Sequence, residues 1–192
     1  TQGYSSAASD VYKRQSLNTM IFGKNYICRI FFISLLDKVK IADNGRYVET
    51  SDGVQHVFVV GSKGIPGNYG GYETFVDRLT EYHQSVPLLK YHVACKAKDS
   101  KTFEYHNADC FNVKVPDIGP AQAIYYDVAA LQHCVNYIRA NRIPHPIVYV
   151  LACRIGPFAA HFHRVIRKLG GKLYINPDAV SYKHLRAHET TL

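Results

Sequence analysis

Five glycines within eleven residues, Gly61 to Gly71, form the stretch of this chain best suited to bind a ligand. They follow a short apolar run, His56–Val60, and precede a helical pattern over Tyr72–His83. Glycine lets the backbone approach a ligand closely, and the first free N–H groups of a helix attract anions. The pattern predicts a phosphate-handling turn between a strand and a helix, with a simple structural turn as the alternative.

The spacing of these glycines does not fit the commonest dinucleotide site. A dinucleotide fingerprint reads G-x-G-x-x-G and is followed ~20 positions later by an acidic residue. Gly61, Gly64 and Gly67 instead read G-x-x-G-x-x-G. The next predicted strand runs into Lys96-Ala97-Lys98 and offers no carboxylate for a ribose. NAD(P) binding is therefore disfavoured, and a non-catalytic nucleotide- or NAD(P)-binding module stays as the alternative function.

Other residues are candidates for ligand binding because they lie in the glycine-rich loop or near the start of a predicted helix. Gly70 and Gly71 offer N–H groups at the predicted helix start, and Lys63 can pair with a diphosphate. Glu73 lies in the first helical turn, where the helix dipole favours a carboxylate, so a structural role competes with ligand binding. Asp127 stands near the start of a second, longer helix and is subject to the same competition.

Strand and helix patterns alternate along the chain. Predicted strands are His56–Val60, Tyr91–Ala97, Cys110–Val115, Ile147–Ala152 and Leu173–Asn176, with a short extended piece at Lys101–His106. Predicted helices are Tyr72–His83, Ala121–Arg142 and a third from Gly156 to Leu169. This alternation predicts the α/β class, with a Rossmann-like parallel sheet, helices on both faces and right-handed crossovers.

Ligands of such sheets bind beyond the carboxyl ends of the strands. Four loops are predicted to meet there: Gly61–Gly71, Lys96–Lys101, Cys153–Pro157 and the segment from Asn176 onward. Asn176 and Asp178 are predicted to face the ligand because they follow the last strand.

Several motifs in residues 54–178 match one known family. They are Gly61-Ser62-Lys63-Gly64-Ile65-Pro66, Tyr69-Gly70-Gly71-Tyr72-Glu73-Thr74-Phe75, Ile124-Tyr125-Tyr126-Asp127 and Asn176-Pro177-Asp178. The stretch resembles the N-terminal domain of bacterial rhamnosyltransferase-like glycosyltransferases with the GT-B fold, which make capsules and exopolysaccharides.

The resemblance implies the acceptor-side domain of an enzyme that moves a sugar, with rhamnose as the candidate. The donor would be a nucleoside-diphosphate sugar, without a further cofactor, and the acceptor a polysaccharide or lipid-linked glycan. Substrate-binding residues are then expected at Lys63, Gly64, Gly70, Gly71, Glu73, Asp127, Asn176 and Asp178. No catalytic residue is identified. The donor-binding domain is expected to lie outside this chain, which alone should show little activity.

The charge distribution, the cysteines and the histidines indicate which partners, compartment and metal sites to expect. The net charge is +8, but the basic residues are dispersed and lack the aromatic-basic ladder of single-strand binders, so no nucleic-acid partner is expected. Five scattered cysteines without a C-x-x-C pair indicate reduced thiols in a cytoplasmic protein. The histidines show no metal-ligand spacing, so no metal site is predicted.

The two ends of the chain are predicted to lie outside the folded domain. Residues 1–53 read as a non-native or disordered flank and 179–192 as an artefact-like tail, because Ser5–Gln15 and Ser181–Thr190 resemble translated linker sequence. Tyr26–Leu36 is apolar but shorter than the ~20 residues of a membrane span. The basic amphipathic pattern of Phe158–Leu169 suggests peripheral contact with the inner face of a membrane, against the alternative of a helix covering the sheet.

Overall fold

The computed structural model describes residues 53–67, 70–152 and 154–176, together with two short strands before them. These strands, β1 (Lys40–Ile41) and β2 (Tyr47–Val48), pair antiparallel. Apart from these strands and Gly53, the residues of the predicted flanks, 1–53 and 179–192, lie outside the described part of the chain, so their predicted separation from the domain stays a prediction.

The described domain is built on a six-stranded sheet. Its strands are β3 (Gln55–Val60), β4 (Leu89–Ala97), β5 (Thr102–Tyr105), β6 (Ala108–Lys114), β7 (Ile147–Val150) and β8 (Lys172–Ile175). They are arranged in the order β5-β6-β4-β3-β7-β8, and all but β5 run parallel. The Rossmann-like α/β prediction is confirmed, apart from the orientation of this edge strand.

The edge strand β5 corresponds to the short extended piece predicted at Lys101–His106, whose direction was not predicted, and it runs antiparallel to β6. β5 and β6 pair up to Tyr105↔Ala108, which leaves only His106 and Asn107 in the connecting turn. Both turn residues have positive φ, at 47° and 58°. Such a two-residue turn matches the twist of a hairpin and returns the chain beside itself.

Within the described ranges, three helices accompany the sheet: α1 (Gly71–His83), α2 (Gln122–Asn141) and α3 (Ala159–Lys168). Single 3-10 turns at Gly119–Ala121 and Gly156–Phe158 lead into α2 and α3. The predicted apolar stripe of α2 is buried at Leu131, Val135 and Ile138, but Ile124 in its first turn is exposed. None of the helices in the described ranges is long and apolar enough to cross a bilayer.

Helices cover both faces of the sheet, as predicted. Consecutive strand residues point to opposite faces, and β4 shows which helix lies on each. Tyr91 directs its hydroxyl to His83 of α1, 2.8 Å away. The next residue, His92, has its ring 5.0 Å from that of Tyr137 in α2. The side of α2 and α3 holds a large apolar cluster that includes Phe58, Val60, Phe111, Val148, Leu131, Ile138, Phe162 and Ile166.

The order of the strands places a topological switch point between β3 and β7. From β3 the chain moves to β4 and β6 on one side, then crosses through α2 to β7 on the other side. In doubly wound sheets a crevice opens at the carboxyl ends of the two strands that flank this point. Here these ends lead into Gly61 and Leu151.

Candidate ligand site at the carboxyl edge

An ion pair lies beside the crevice and joins three elements. Arg154, in the loop after β7, places Nε 2.8 Å and Nη2 3.2 Å from the two carboxylate oxygens of Asp127 in α2. The same Nη2 donates to the carbonyl oxygen of Gly61 at the end of β3, 3.2 Å away. Asp127 is fully buried, whereas the Arg154 side chain is 40% exposed. A ligand in the crevice can therefore reach Arg154 but not Asp127.

Burial and pairing act in opposite directions on Asp127. Burial raises the pKa of Asp127, while the hydrogen bond and charge of Arg154 oppose that rise. The same hydrogen bond raises the pKa of Arg154. A bidentate pair with a guanidinium holds both charges and fixes the plane of the cation. Asp127 thus acts as a positioning residue, and Arg154 is an oriented cation with donors left for an anion or a hydroxyl.

Tyr126 attaches α2 to the ends of two strands. Its buried hydroxyl lies 2.7 Å from the carbonyl oxygen of Ser62 and 2.8 Å from that of Ala94, and donates to this pair. Burial raises the pKa of Tyr126 well above its usual range, so the hydroxyl keeps its proton. The start of the glycine-rich loop is therefore held against α2.

Glu73 braces the glycine-rich loop from inside. Its Oε1 accepts the backbone N–H of Lys63 at 2.7 Å, and the side chain is almost completely buried. Its other oxygen lies where a Cβ on Gly70 would stand. Gly70 also has φ 118°, a conformation that favours glycine. One carboxylate therefore holds both the beginning of the loop and the residue before α1.

The glycine positions differ in the space that they leave. At Gly64, which has φ 111°, a Cβ would come within 2.5 Å of Sγ of Cys95 on β4. The Lys96 N–H donates to the Lys63 carbonyl at 2.9 Å, so this part of the loop packs directly on the end of β4. At Gly71 a Cβ would meet nothing within 4 Å. The space beside Gly70 is thus filled by the protein itself, whereas the space beside Gly71 is open.

A family model described as "Domain of unknown function (DUF1972)" matches residues 54–190. The chain belongs to this family. The match begins at the predicted start of the domain and continues beyond the predicted end at residue 178. No curated protein and no solved structure matches the sequence.

The DUF1972 domain brings most of the predicted residues to one edge of the sheet. Lys63 is exposed in the loop that contains Gly64, and Gly70, Gly71 and Glu73 follow at the start of α1. Asn176 is buried after β8, and its N–H donates to the Val150 carbonyl at 2.8 Å. Asp178 lies outside the described residues. Lys63 and Gly71 are therefore the predicted residues most open to a ligand.

Arg154 is the residue of this DUF1972 site that was not singled out from the sequence. A signal was present, because Arg154 lies in the Cys153–Pro157 loop, which was predicted to reach the carboxyl edge. Lys96 was likewise inside a predicted edge loop, and its Nζ donates to Oε1 of Gln122 at the start of α2, 3.0 Å away. Among the described residues, no three His, Cys, Asp or Glu side chains are grouped as metal ligands.

Proposed function

We propose that this DUF1972 domain is the acceptor-side half of a glycosyltransferase. The enzyme would move a sugar, with rhamnose as the candidate, from a nucleoside-diphosphate sugar to a polysaccharide or lipid-linked glycan. The observation that carries the proposal is the partly exposed Arg154, held by Asp127 and by the Gly61 carbonyl at the carboxyl ends of β3 and β7, beside the braced loop. The family resemblance of that loop supports the reaction class.

The chemistry of this edge suits a reaction in which a diphosphate leaves. The acceptor oxygen bonds to the anomeric carbon and its proton passes to solvent, while the bond from that carbon to the diphosphate breaks and negative charge develops on the leaving group. Lys63 and Arg154 place cations at the edge. Gly71 lies at the first turn of α1, where helical N–H groups lack intrahelical partners. A charge-assisted hydrogen bond of this kind contributes on the order of 1.5–3 kcal/mol.

We assign no base to Glu73 or Asp127, because both carboxylates are already engaged. Glu73 accepts a backbone N–H, and Asp127 is buried beneath Arg154. In the proposal they position the loop and the cation that meet the substrate.

Exposed apolar side chains at the same edge support a lipid-linked acceptor. Ile124 and Tyr125 lie in the first turn of α2, and Phe158 immediately precedes α3; each is more than 40% exposed. Helices that return from parallel strands start at the carboxyl edge of the sheet. Through these side chains the domain would work on the cytoplasmic face of a membrane, in peripheral contact with it.

The alternative function is a nucleotide- or NAD(P)-binding module. The order β6-β4-β3-β7-β8 favours it, since dinucleotide-binding domains share this doubly wound arrangement. The end of β4 argues against it. A dinucleotide-binding domain needs an acidic residue there to bind the ribose, but this chain has Lys96 and Lys98.

A binding experiment on the full chain separates these functions. We expect short bacterial glycans to shift the backbone NMR signals of residues 61–73 and 154–158, and NADH to bind weakly. Arg154→Gln, which can still hydrogen-bond to Asp127, should weaken glycan binding about tenfold or more, as the loss of a charge-assisted bond predicts. Gly71→Val should weaken it as well with the fold intact, because the added side chain enters open space.

Arg139→Gln is the matched control, since Arg139 lies in the last turn of α2, far from the helix start that holds Asp127. Glycan binding that survives both site variants would refute the site. Micromolar binding of NADH, with no glycan binding, would instead favour the dinucleotide module.

A further inference from the structure

A second pocket lies away from the carboxyl edge, between α2 and the β5–β6 side of the sheet. Its volume is about 340 Å³, within the ~300–1,000 Å³ typical of small-molecule sites. His133 and Tyr137 of α2 line it. They follow Asp127 by six and ten residues, which corresponds to ~9 and ~15 Å along a helix. The pocket is therefore separate from the crevice.

Aromatic rings form most of its walls. Phe58 stacks on His92 with ring centroids 4.4 Å apart and planes 11° apart. Phe111 stacks in the same way on His133, at 4.2 Å and 16°. Tyr137 lies 5.0 Å from His92 and is 37% exposed, which places it at the mouth of the pocket. Flat, stacked walls of this kind favour a planar guest.

One carboxylate, that of Asp109, lies in the lining. Lys90 Nζ is 2.8 Å from its Oδ1, and Nδ1 of His92 is 3.5 Å from its Oδ2. Burial lowers the pKa of His92 to about 4, so this ring is neutral at neutral pH despite its acidic neighbour. The Asp109 side chain is still 43% exposed, and a carboxylate has about four acceptor positions. Asp109 thus retains capacity to accept hydrogen bonds from a guest.

We propose that this pocket binds a planar nitrogen heterocycle that carries an amino group, the chemical class to which the amino-bearing nucleobases belong. The ring would stack on the aromatic walls while the amino group donates to Asp109. A phosphate is disfavoured, since the carboxylate and the negative faces of the rings repel it. A sugar is disfavoured because its several hydroxyls would find few polar partners among the aromatic rings. The inference is independent of the glycosyltransferase proposal.

Cytidine and uridine form a matched pair of probes, because cytidine carries an amino group where uridine carries a carbonyl. We expect cytidine to produce saturable NMR shifts at Thr102, Cys110, His133 and Tyr137. Uridine should bind about tenfold more weakly, the loss expected for one charge-assisted hydrogen bond. The absence of saturable shifts up to ~10 mM cytidine, equal binding of the two nucleosides, or shifts at the carboxyl edge alone would each overturn the proposal.

Two variants test the assigned contacts. Asp109→Asn keeps an acceptor oxygen but loses the charge. It should therefore weaken the binding of cytidine and leave the binding of uridine unchanged. Tyr137→Leu removes an exposed wall and should weaken both nucleosides about tenfold, as loss of base stacking predicts. Tyr125→Leu is the control, because Tyr125 is similarly exposed in the first turn of the same helix.

Thermal melts establish that each variant folds. If Asp109→Asn is unfolded, the response of Tyr137→Leu still decides the matter. Unchanged cytidine binding in a folded Tyr137→Leu variant, or an equal loss in Tyr125→Leu, would refute the assignment of the pocket.

Discussion

Glu73 joins the two ends of the glycine-rich loop through a single carboxylate. It accepts the Lys63 N–H at 2.7 Å and occupies the space over Gly70. Asp127 is similarly engaged with Arg154. Both carboxylates thus support the backbone and the cation that a ligand would meet, and the charged side chains of Arg154 and Lys63 remain accessible at this edge.

The contact between Glu73 and the loop predicts that removing the carboxylate lowers stability more than removing its charge alone. Glu73→Ala leaves the N–H of Lys63, which forms a part-buried hydrogen bond, without its acceptor and should lower the free energy of unfolding by about 1–3 kcal/mol. Glu73→Gln keeps an acceptor and should lower it by roughly 1 kcal/mol, since only the charge is lost. Urea unfolding monitored by circular dichroism measures both changes.

Glu81→Ala is the control for this pair. Glu81 lies in the same helix and forms an exposed ion pair with Arg78 at 2.6 Å. Such pairs contribute ~0–1 kcal/mol, so little stability should be lost. Equal losses for Glu73→Ala and Glu81→Ala would show that Glu73 does not brace the loop.

The junction between the loop and α1 contains two adjacent glycines that differ in their tolerance of a side chain. Gly70 has φ 118° and lies against Glu73, whereas Gly71 is helical and faces open space. Gly70→Ala should therefore lower the free energy of unfolding by about 1–3 kcal/mol through backbone strain alone, with the displacement of Glu73 adding to it. Gly71→Ala should leave stability unchanged or raise it by up to about 1 kcal/mol. Chemical denaturation of the two variants side by side is the test, and a larger loss at Gly71 would contradict this geometry.

The edge strand β5 shows why strand direction was not predicted. An extended pattern over Lys101–His106 was recognisable, but its orientation depends on the turn that follows. His106 and Asn107 adopt left-handed φ values, which give a tight hairpin. Asn is tolerated in this conformation, while His is a weaker indication of it, so the turn was not evident before the pairing of β5 with β6 was known.

Across the whole domain, buried histidines make stability depend on pH. Burial lowers the pKa of both His83 and His92 to about 4. In the unfolded chain a histidine has a pKa of ~6.5. Between pH ~6.5 and 4, these two histidines are therefore protonated in the unfolded chain but stay neutral in the folded domain. The free energy of unfolding is therefore highest above pH ~6.5 and falls as the pH is lowered towards 4. At pH 5 the loss is on the order of 2 kcal/mol per histidine. Urea unfolding at pH 7.5 and pH 5 measures the loss.

His83→Gln should reduce this dependence on pH by less than half, since burial also lowers the pKa of His92, His56 and His133. Gln keeps a polar group near the Tyr91 hydroxyl, which lies 2.8 Å from Nδ1 of His83. His161→Gln is the control, because His161 is exposed on α3. A pH dependence that is the same in the parent and in His83→Gln would contradict the role of burial.

The class of the fold and the limits of its elements follow from the order of the amino acids alone. Apolar runs, helical periodicity and the Gly and Pro positions are local signals, and local backbone preferences respond to them directly. They predicted α1, α2 and α3 and the five parallel strands within a few residues of the observed bounds. They also placed Lys63, Gly71 and Glu73 in one loop and helix start.

Which of these residues a ligand can reach depends on how the strands and helices pack together. Asp127 and Arg154 are separated by 27 positions and meet because β7 crosses to the far side of β3. The space beside Gly64 is occupied by the side chain of Cys95, which belongs to another strand. The aromatic pocket likewise draws on β3, β4, β5, β6 and α2 together. Such contacts depend on strand order and side-chain packing across the sheet, and no local pattern in the chain encodes either.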